Sequence, residues 1–142
     1  MDIRTPNTEL EWEAYFALRF KILREPLGQP LGSEHNDGDK TGEYFALFDE
    51  GQLRAIARLD VHSEGVSQVR FVAVDTTLRR KGYGRLIMNA TEEVSKTQGN
   101  SKMVLQAREN AVDFYLKLGY SMIEKSHLLF GQVQHFLMEK KY

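Results

Sequence analysis

The stretch that decides the fold runs from residue 72 to residue 85 and reads Val-Ala-Val-Asp-Thr-Thr-Leu-Arg-Arg-Lys-Gly-Tyr-Gly-Arg. Its apolar first part predicts a buried strand, its polar middle a loop, and its glycines the beginning of a helix. Free N–H groups at a helix N-terminus, together with the helix dipole, favour an anion. Four positive charges lie within seven residues here, although the formal net charge of the chain is −1. The stretch therefore predicts a phosphate or pyrophosphate site.

Three known phosphate-binding loops can be compared with this stretch. The P-loop pattern is absent, and the dinucleotide fingerprint fails because Ile87 stands where its third glycine is needed. The pattern [QR]-x-x-G-x-[GA] is matched in full by Arg79, Gly82 and Gly84. The stretch resembles the acyl-CoA motif of the GNAT superfamily of N-acyltransferases, with Thr76 in place of a frequent proline.

A second block strengthens the resemblance. Residues 114–120 read Phe-Tyr-Leu-Lys-Leu-Gly-Tyr, which is similar to a late helix end of the same family, F-Y-x-K-x-G-[FY]. The segment from Arg19 to Pro30 resembles the acceptor-side helix region of small bacterial members. The expected order of helices and strands also resembles that of the family over essentially the whole chain.

The resemblance implies where acetyl-CoA binds. Backbone groups of the strand ending at Val74 would pair with the pantetheine arm, in a splay between this strand and the next, near 103–106. The Val74 N–H would donate a hydrogen bond to the thioester oxygen, and Tyr115 would protonate the leaving thiolate. The implied coenzyme A contacts are Val72, Ala73, Val74, Arg79, Arg80, Lys81, Gly82, Tyr83, Gly84, Arg85, Asn110 and Tyr115.

One position departs from the family pattern. Many members carry an asparagine seven residues before the tyrosine, where it bonds the coenzyme A arm, but position 108 is Arg here. Asn110 is nearby and out of register. It is either a coenzyme A contact or the N-cap of a helix over residues 111–118.

The periodicity predicts one α/β domain over residues 1–142, a GNAT-like fold with a mixed sheet of six or seven strands and helices on both faces. Helices are expected at 8–24, from 82–84 to about 99, and at 109–118. Strands are expected at 43–48, 52–62, 68–74, 103–105, 120–124 and 133–138. The predicted core comprises Phe16, Phe45, Leu47, Ala55, Ala57, Leu59, Val72, Val74, Leu86, Ile87, Val104, Leu105 and Phe114.

The composition limits the classes of protein and of binding site that the chain can represent. Of the 142 residues, 42% are hydrophobic and 27% charged, as in ordinary globular domains. The absence of cysteine excludes disulfides, thiolate metal sites and a cysteine nucleophile. The near-neutral charge, the lack of a long apolar run and an N-terminus unlike a signal peptide predict a cytoplasmic protein that binds neither nucleic acid nor membrane. No metal site is expected from the four His, and a homodimer stays possible.

The predicted reaction is transfer of an acetyl group from acetyl-CoA to a primary amine, by direct attack in a ternary complex. A non-catalytic acyl-CoA-binding or sensor module is the alternative, and a structural domain without coenzyme A is a third. The proton acceptor is left open between a water chain and four acids: Asp75, Glu64, Glu25 and Glu34. His135 is expected to line the acceptor side or the core.

The acceptor itself is not set by the sequence. The loop over residues 25–42 carries four acids against Lys40 alone. That local charge favours a cationic acceptor by electrostatic attraction. A solvated acidic loop is the other interpretation.

Overall fold

The computed structural model describes residues 1–78 and 81–142. Three α-helices are present: α1 (Glu9–Leu23), α2 (Tyr83–Thr97) and α3 (Val112–Lys117). The strands are β1 (Asp2–Arg4), β2 (Glu43–Asp49), β3 (Gln52–Ser63), β4 (Val66–Val74), β5 (Lys102–Arg108), β6 (Ser121–Leu129) and β7 (Val133–Lys141). Short 3₁₀ helices cover Glu25–Leu27, Asp37–Lys40, Thr76–Leu78 and Glu109–Ala111. None of the helices in the described ranges is long and apolar enough to cross a membrane.

All seven strands form one mixed sheet, in the order β1-β2-β3-β4-β5-β7-β6. Among the described strands, only β4 and β5 are parallel neighbours, and the chain joins them through α2. The sheet agrees with the predicted mixed sheet of six or seven strands. The sequence patterns missed β1, because three residues are too few to show a period, and the short apolar run at 103–105 understated β5.

Both faces of the sheet are covered, as predicted. Tyr15, Leu18 and Leu23 of α1 pack on one face, and Ile87 and Met88 of α2 pack on the other, where α3 also lies. Neighbouring residues of the central strands are therefore buried on opposite faces, because side chains alternate along a strand.

The predicted core is confirmed in most positions. Eight of the thirteen residues are buried, and Phe16, Val72, Val74, Leu86 and Phe114 are half-buried against the same clusters. The alternation of Leu53, Ala55, Ala57, Leu59 and Val61 with polar residues predicts one core face and one wetter face for β3, and this prediction was wrong. Ile56 and Arg58 are buried on the second face, whereas Val61 is 91% exposed.

The predicted helix at 109–118 is also corrected. A 3₁₀ turn covers Glu109–Ala111 and the α-helix begins at Val112, with Ala111 at the N-cap. Asn110 is exposed and does not cap α3. The helix predicted at 8–24 is confirmed as α1, and the Thr8 hydroxyl accepts a hydrogen bond from the Glu11 N–H.

Candidate active site

The neighbouring strands β4 and β5 separate along their length. Their parallel pairing covers only three residues of each strand and ends where Gln68 meets Val104. Beyond that point the two strands splay, and a cavity of about 160 Å³ opens between them. We call it the splay cavity. Its lining is Leu23, Arg24, Val69, Arg70, Phe71, Val72, Leu105, Gln106, Arg108, Ala111, Tyr115, His127, Leu129 and His135.

One backbone N–H of β4, that of Val74, points toward the splay. The Asp75 N–H donates to the Arg54 oxygen of the neighbouring β3 at 3.1 Å, and Val74 lies opposite Ala55. In an antiparallel pair, hydrogen-bonded and non-hydrogen-bonded residues alternate. Because Asp75 is bonded to β3, the Val74 N–H points away from β3, toward the side where β5 has already separated.

A bulge interrupts β4 beside the cavity. The pairing with β3 shifts between Arg70 and Ala73, and Phe71 has a φ of +53°. Such a conformation is unusual for a residue with a side chain and is found at β-bulges next to active sites. A regular strand sends successive side chains to opposite faces, yet residues 69–72 all line the splay cavity. The bulge and the splay together bring four consecutive residues to one site.

The helix start predicted at 82–84 is confirmed. Gly82 is the N-cap of α2 with φ +81°, in the left-handed region where glycine carries no steric penalty. Gly84 is needed for another reason. A Cβ at Gly84 would lie 3.0 Å from the Phe114 ring, a tight contact that the ring would have to shift to accommodate.

The side chains around that helix start differ in their contacts and exposure. The Tyr83 hydroxyl donates to the Asp49 carboxylate at 2.6 Å, which ties α2 to the turn between β2 and β3. Lys81 and Arg85 are exposed. The predicted contacts Arg79 and Arg80 lie outside the described residues.

Tyr115 lies on α3 with its side chain 8% exposed, and it lines the splay cavity. Its ring packs edge-on against Phe114 and Tyr120. Within the described ranges, its hydroxyl makes no hydrogen bond. Burial raises the pKa of this phenol above its usual value, so the hydroxyl carries its proton at neutral pH.

Two histidines of neighbouring strands stack at the cavity. The rings of His127 and His135 lie 4.4 Å apart and nearly parallel. The Nδ1 of His135 lies 3.1 Å from the Val133 carbonyl oxygen, and because a carbonyl only accepts, this nitrogen donates. Burial lowers the pKa of His135, so its ring is neutral at pH 7 with a lone pair on Nε2. His135, expected on the acceptor side or in the core, is buried and lines the splay cavity, and its contact with an acceptor stays a prediction.

The four acids considered as proton acceptors do not line the splay cavity. The Asp75 carboxylate accepts hydrogen bonds from the N–H and hydroxyl of Thr77, and Glu64 is exposed in the turn before β4. Glu25 is exposed, whereas Glu34 is buried and accepts from the Gly32 N–H at 2.7 Å.

Of the residues that the structure describes, three arginines and no acid line the cavity. Arg24 donates to the Ser33 and Leu23 oxygens, and Arg108 donates to the Leu23 oxygen at 2.6 Å. Arg70 makes no hydrogen bond or ion pair with any described residue. Burial, and then neighbouring guanidinium groups, lower the pKa of all three. Sequence reasoning missed these cavity arginines (Arg24, Arg70 and Arg108), since they come from three separate elements.

A second group of charges lies beside them, across the Phe71 ring. The Asp39 carboxylate accepts from Arg19 at 2.8 Å and from Arg58 at 2.7 Å, and Asp60 binds Arg58 through both oxygens. We call these four residues the ion-pair cluster. Both guanidinium groups are fully buried. Burial opposes ionisation of Asp39, but Arg19 and then Arg58 and His35 outweigh it and hold its pKa well below the usual range.

The ion-pair cluster changes the meaning of the acidic loop. Asp39 is neutralised by two arginines, and Glu34 is buried, so the loop over residues 25–42 presents less negative charge than its composition indicates. The charge count that favoured a cationic acceptor therefore does not describe the surface that faces the cavity.

The profile of the GNAT acetyltransferase family matches residues 6–120 of this chain. The chain belongs to this family. YjcF of Bacillus subtilis, an uncharacterized N-acetyltransferase, is 25% identical to this GNAT protein over 125 residues, which cover 88% of this chain and 89% of YjcF.

Solved structures share the fold of this GNAT protein. An aminoglycoside 6'-N-acetyltransferase complexed with coenzyme A superposes with a TM-score of 0.83 at 15% identity, covering 99% of this chain and 97% of that one. ElaA of Escherichia coli gives a TM-score of 0.80 at 18% identity, with the same coverage of each chain. Family membership supports acyl transfer as the class of reaction.

Among the described residues of this GNAT protein, no three His, Asp or Glu side chains are grouped as a metal site requires. Arg108 takes the place where many members have asparagine, and it lines the cavity. Asn110 lies outside the cavity lining. Its contact with coenzyme A stays a prediction.

Proposed function

We propose that this protein transfers an acetyl group from acetyl-CoA to a primary amine, by direct attack within a ternary complex. The observation that carries the proposal is the splay of β4 from β5, with the Val74 N–H facing it and Tyr115 lining it. The choice of acetyl-CoA is supported by family membership and by the related fold complexed with coenzyme A.

Coenzyme A would occupy the free edge of β4. Its pantetheine arm would pair with Val72, Ala73 and Val74 in the manner of an added strand, since β5 no longer bonds β4 there. Its pyrophosphate would lie at the first N–H groups of α2, which have no partner inside the helix. The positive side chains proposed to face the phosphates are Arg79, Arg80, Lys81 and Arg85.

The reaction needs few groups from the protein. The amine lone pair attacks the thioester carbon and a C–N bond forms, while the carbonyl oxygen gains charge that the Val74 N–H stabilises. The C–S bond then breaks, and the thiolate takes a proton. Most of the rate enhancement would come from holding the amine against the carbonyl.

Tyr115 is proposed as the group that protonates the thiolate. Its raised pKa keeps the phenol protonated at neutral pH, and it lines the cavity into which the thioester would reach. A thiolate has a pKa near 8.5, so only modest assistance is required.

His135 is proposed as the acceptor of the proton that the amine loses. It is buried, neutral at pH 7 and directed by its bond to Val133, and Nε2 is left to accept. His127, Arg108 and Arg24 all act to lower its pKa further, after burial. None of the four acids considered from the sequence lines the cavity beside it.

Two measurements on the intact protein test this function. Calorimetry with coenzyme A and acetyl-CoA should show binding, and acetyl-CoA with an amine panel should release free thiol faster than acetyl-CoA alone. Binding without release by any amine would favour a sensor module, and absence of binding would favour a structural domain.

The proposed role of His135 is tested in the same assay. His135→Gln should lower kcat/KM about 10²-fold and remove the pH-dependent limb assigned to the imidazole. An unchanged pH profile would remove His135 from the mechanism. His62→Gln, a change at an exposed histidine outside the cavity, is the matched control.

A further inference from the structure

Positive charge without a carboxylate partner marks the splay cavity. Arg24, Arg70 and Arg108 come from the end of α1, from β4 and from β5, and all three line it. No Asp or Glu from residues 1–78 and 81–142 is part of the lining. The nearby acids Asp39 and Asp60 belong to the ion-pair cluster and are already bound to arginine.

The cavity arginines are distinct from the phosphate loop. Arg70 lies four residues before Val74, on the other side of the bulge at Phe71. The loop that begins α2 continues from the far end of β4, beyond Val74. A pyrophosphate at the α2 N-terminus would therefore leave the cavity arginines free for a different anion.

Bringing these charges together is unfavourable unless an anion offsets it. Arg24 and Arg108 are half-buried and Arg70 is exposed, and each guanidinium is close enough to another arginine for its charge to be felt. Arg24 and Arg108 are positioned by backbone oxygens, whereas Arg70 has no hydrogen-bonding partner within the described ranges. Arg70 is held against the Phe71 ring, 5.4 Å from its centre.

We infer that the acceptor is a small primary amine that carries a carboxylate, bound by Arg24, Arg70 and Arg108. This inference rests on the proposed function, because it assigns the acceptor of that reaction. A guanidinium group matches a carboxylate through two parallel hydrogen bonds. A cavity of about 160 Å³ suits a small molecule, and one carboxylate needs few donors, which agrees with Arg24 and Arg108 having committed part of theirs.

The placement also orients the amine. The arginines, the imidazole of His135 and the phenol of Tyr115 line the same cavity. A carboxylate held by the arginines would leave the amino group free to reach the thioester near Val74, and His135 could accept its proton.

The test uses matched acceptors that differ only in charge. Amino acids of two to five carbons are compared with their carboxamides and with the corresponding amines that lack the carboxylate, in the thiol-release assay at low salt. We expect kcat/KM for the carboxylates to exceed that for the amides by about tenfold or more, the range of hydrogen bonds to a charged group. Added salt should reduce the preference.

Arg70→Gln is the decisive variant, because Arg70 is exposed and, among the described residues, has no hydrogen-bonding partner whose loss would disturb the fold. It should raise KM for the carboxylate acceptor about tenfold. KM for the amide should stay almost unchanged, and the Kd for coenzyme A should stay unchanged. Lys125→Gln removes an exposed charge outside the cavity and should change neither. Arg70→Lys should restore only part of the preference, since lysine lacks the planar fork.

Several results would overturn the inference. One such result is a preference for amides, diamines or a phosphomonoester amine. Another is that Arg70→Gln lowers kcat/KM equally for the carboxylate and the amide, or weakens coenzyme A binding instead. Calorimetric titration of the same carboxylates into the coenzyme A complex gives a readout independent of turnover, and absence of binding there also overturns the inference. If coenzyme A binds and only neutral or cationic amines react, the proposed function stands and the acceptor assignment fails.

Discussion

Two groups of arginines meet at one aromatic ring, and they have opposite surroundings. The centre of Phe71 lies 4.3 Å from the Arg19 guanidinium and 5.0 Å from that of Arg58, both in the ion-pair cluster. It lies 5.4 Å from Arg70 and 5.6 Å from Arg24, both in the splay cavity. The first pair is fully buried and bound to carboxylates, whereas the second lines an open space without them.

The contrast separates structural charge from functional charge. In the ion-pair cluster every guanidinium has an aspartate partner, and the cluster fixes the loop over residues 37–40 to the sheet. In the cavity, no described Asp or Glu lies beside the arginines in the lining, so their charge is available to a ligand. Changes on the first side should therefore act on stability, and changes on the second side on binding and turnover.

The largest expected effect is in the ion-pair cluster. Asp39→Asn leaves the buried Arg19 and Arg58 without their shared countercharge, and should lower the free energy of unfolding by about 3–5 kcal/mol. Chemical denaturation followed by circular dichroism measures the change. Asp37→Asn, an exposed change in the same loop, should cost less than about 0.5 kcal/mol. A similar cost for both variants would contradict a structural role for the cluster.

The same carboxylate predicts the sign of a pH dependence. The pKa of Asp39 is lower in the folded chain than in the unfolded one, so its stabilising contribution is complete above about pH 4 and is lost as the pH falls toward the folded value. The difference in stability between the parent and Asp39→Asn should therefore narrow below about pH 4. A constant difference from pH 6 to pH 2 would show that the charge of Asp39 is not responsible.

On the cavity side, Tyr115→Phe should separate turnover from stability. We expect kcat to fall about 10²-fold while KM for acetyl-CoA stays nearly constant and the stability changes by about 1 kcal/mol or less. The assay needs saturating amine at a pH where the amine is partly neutral. Tyr142→Phe, whose hydroxyl donates to Ser95, is the control and should retain full kcat. Unchanged kcat in Tyr115→Phe would make the residue a packing group.

The glycines before and within α2 give a smaller test of the same division. Gly84→Val places a side chain against Phe114 and should cost about 1–3 kcal/mol of stability. Gly82→Val meets open space, and should mainly weaken coenzyme A binding, beyond the strain of its positive φ.

Gly99→Val is the matched control for Gly82→Val. Gly99 has φ +86° and open space around it, but it follows the far end of α2. It should show the same loss of stability and normal coenzyme A affinity by calorimetry. Equal affinities in the Gly82 and Gly99 variants would argue against a pyrophosphate at the helix start.

The sequence by itself determined the family, the fold class and the glycine-marked start of α2. Those features are local: the residues that decide them, such as Gly82 and Gly84, lie next to one another in the chain, and strand and helix periods can be read within a short window. The splay near 103–106 was also foreseen, through the resemblance, and the β4–β5 pairing does end at Val104.

Only the tertiary structure decided which charges meet. Arg24, Arg70 and Arg108 are far apart in the chain and become neighbours through the sheet order and the bulge at Phe71. The acids of the loop, which composition presented as one negative surface, were divided by folding between ion pairs and solvent. Net charge and residue counts are additive along a chain, but the field at a site depends on distance and burial, which the fold alone sets.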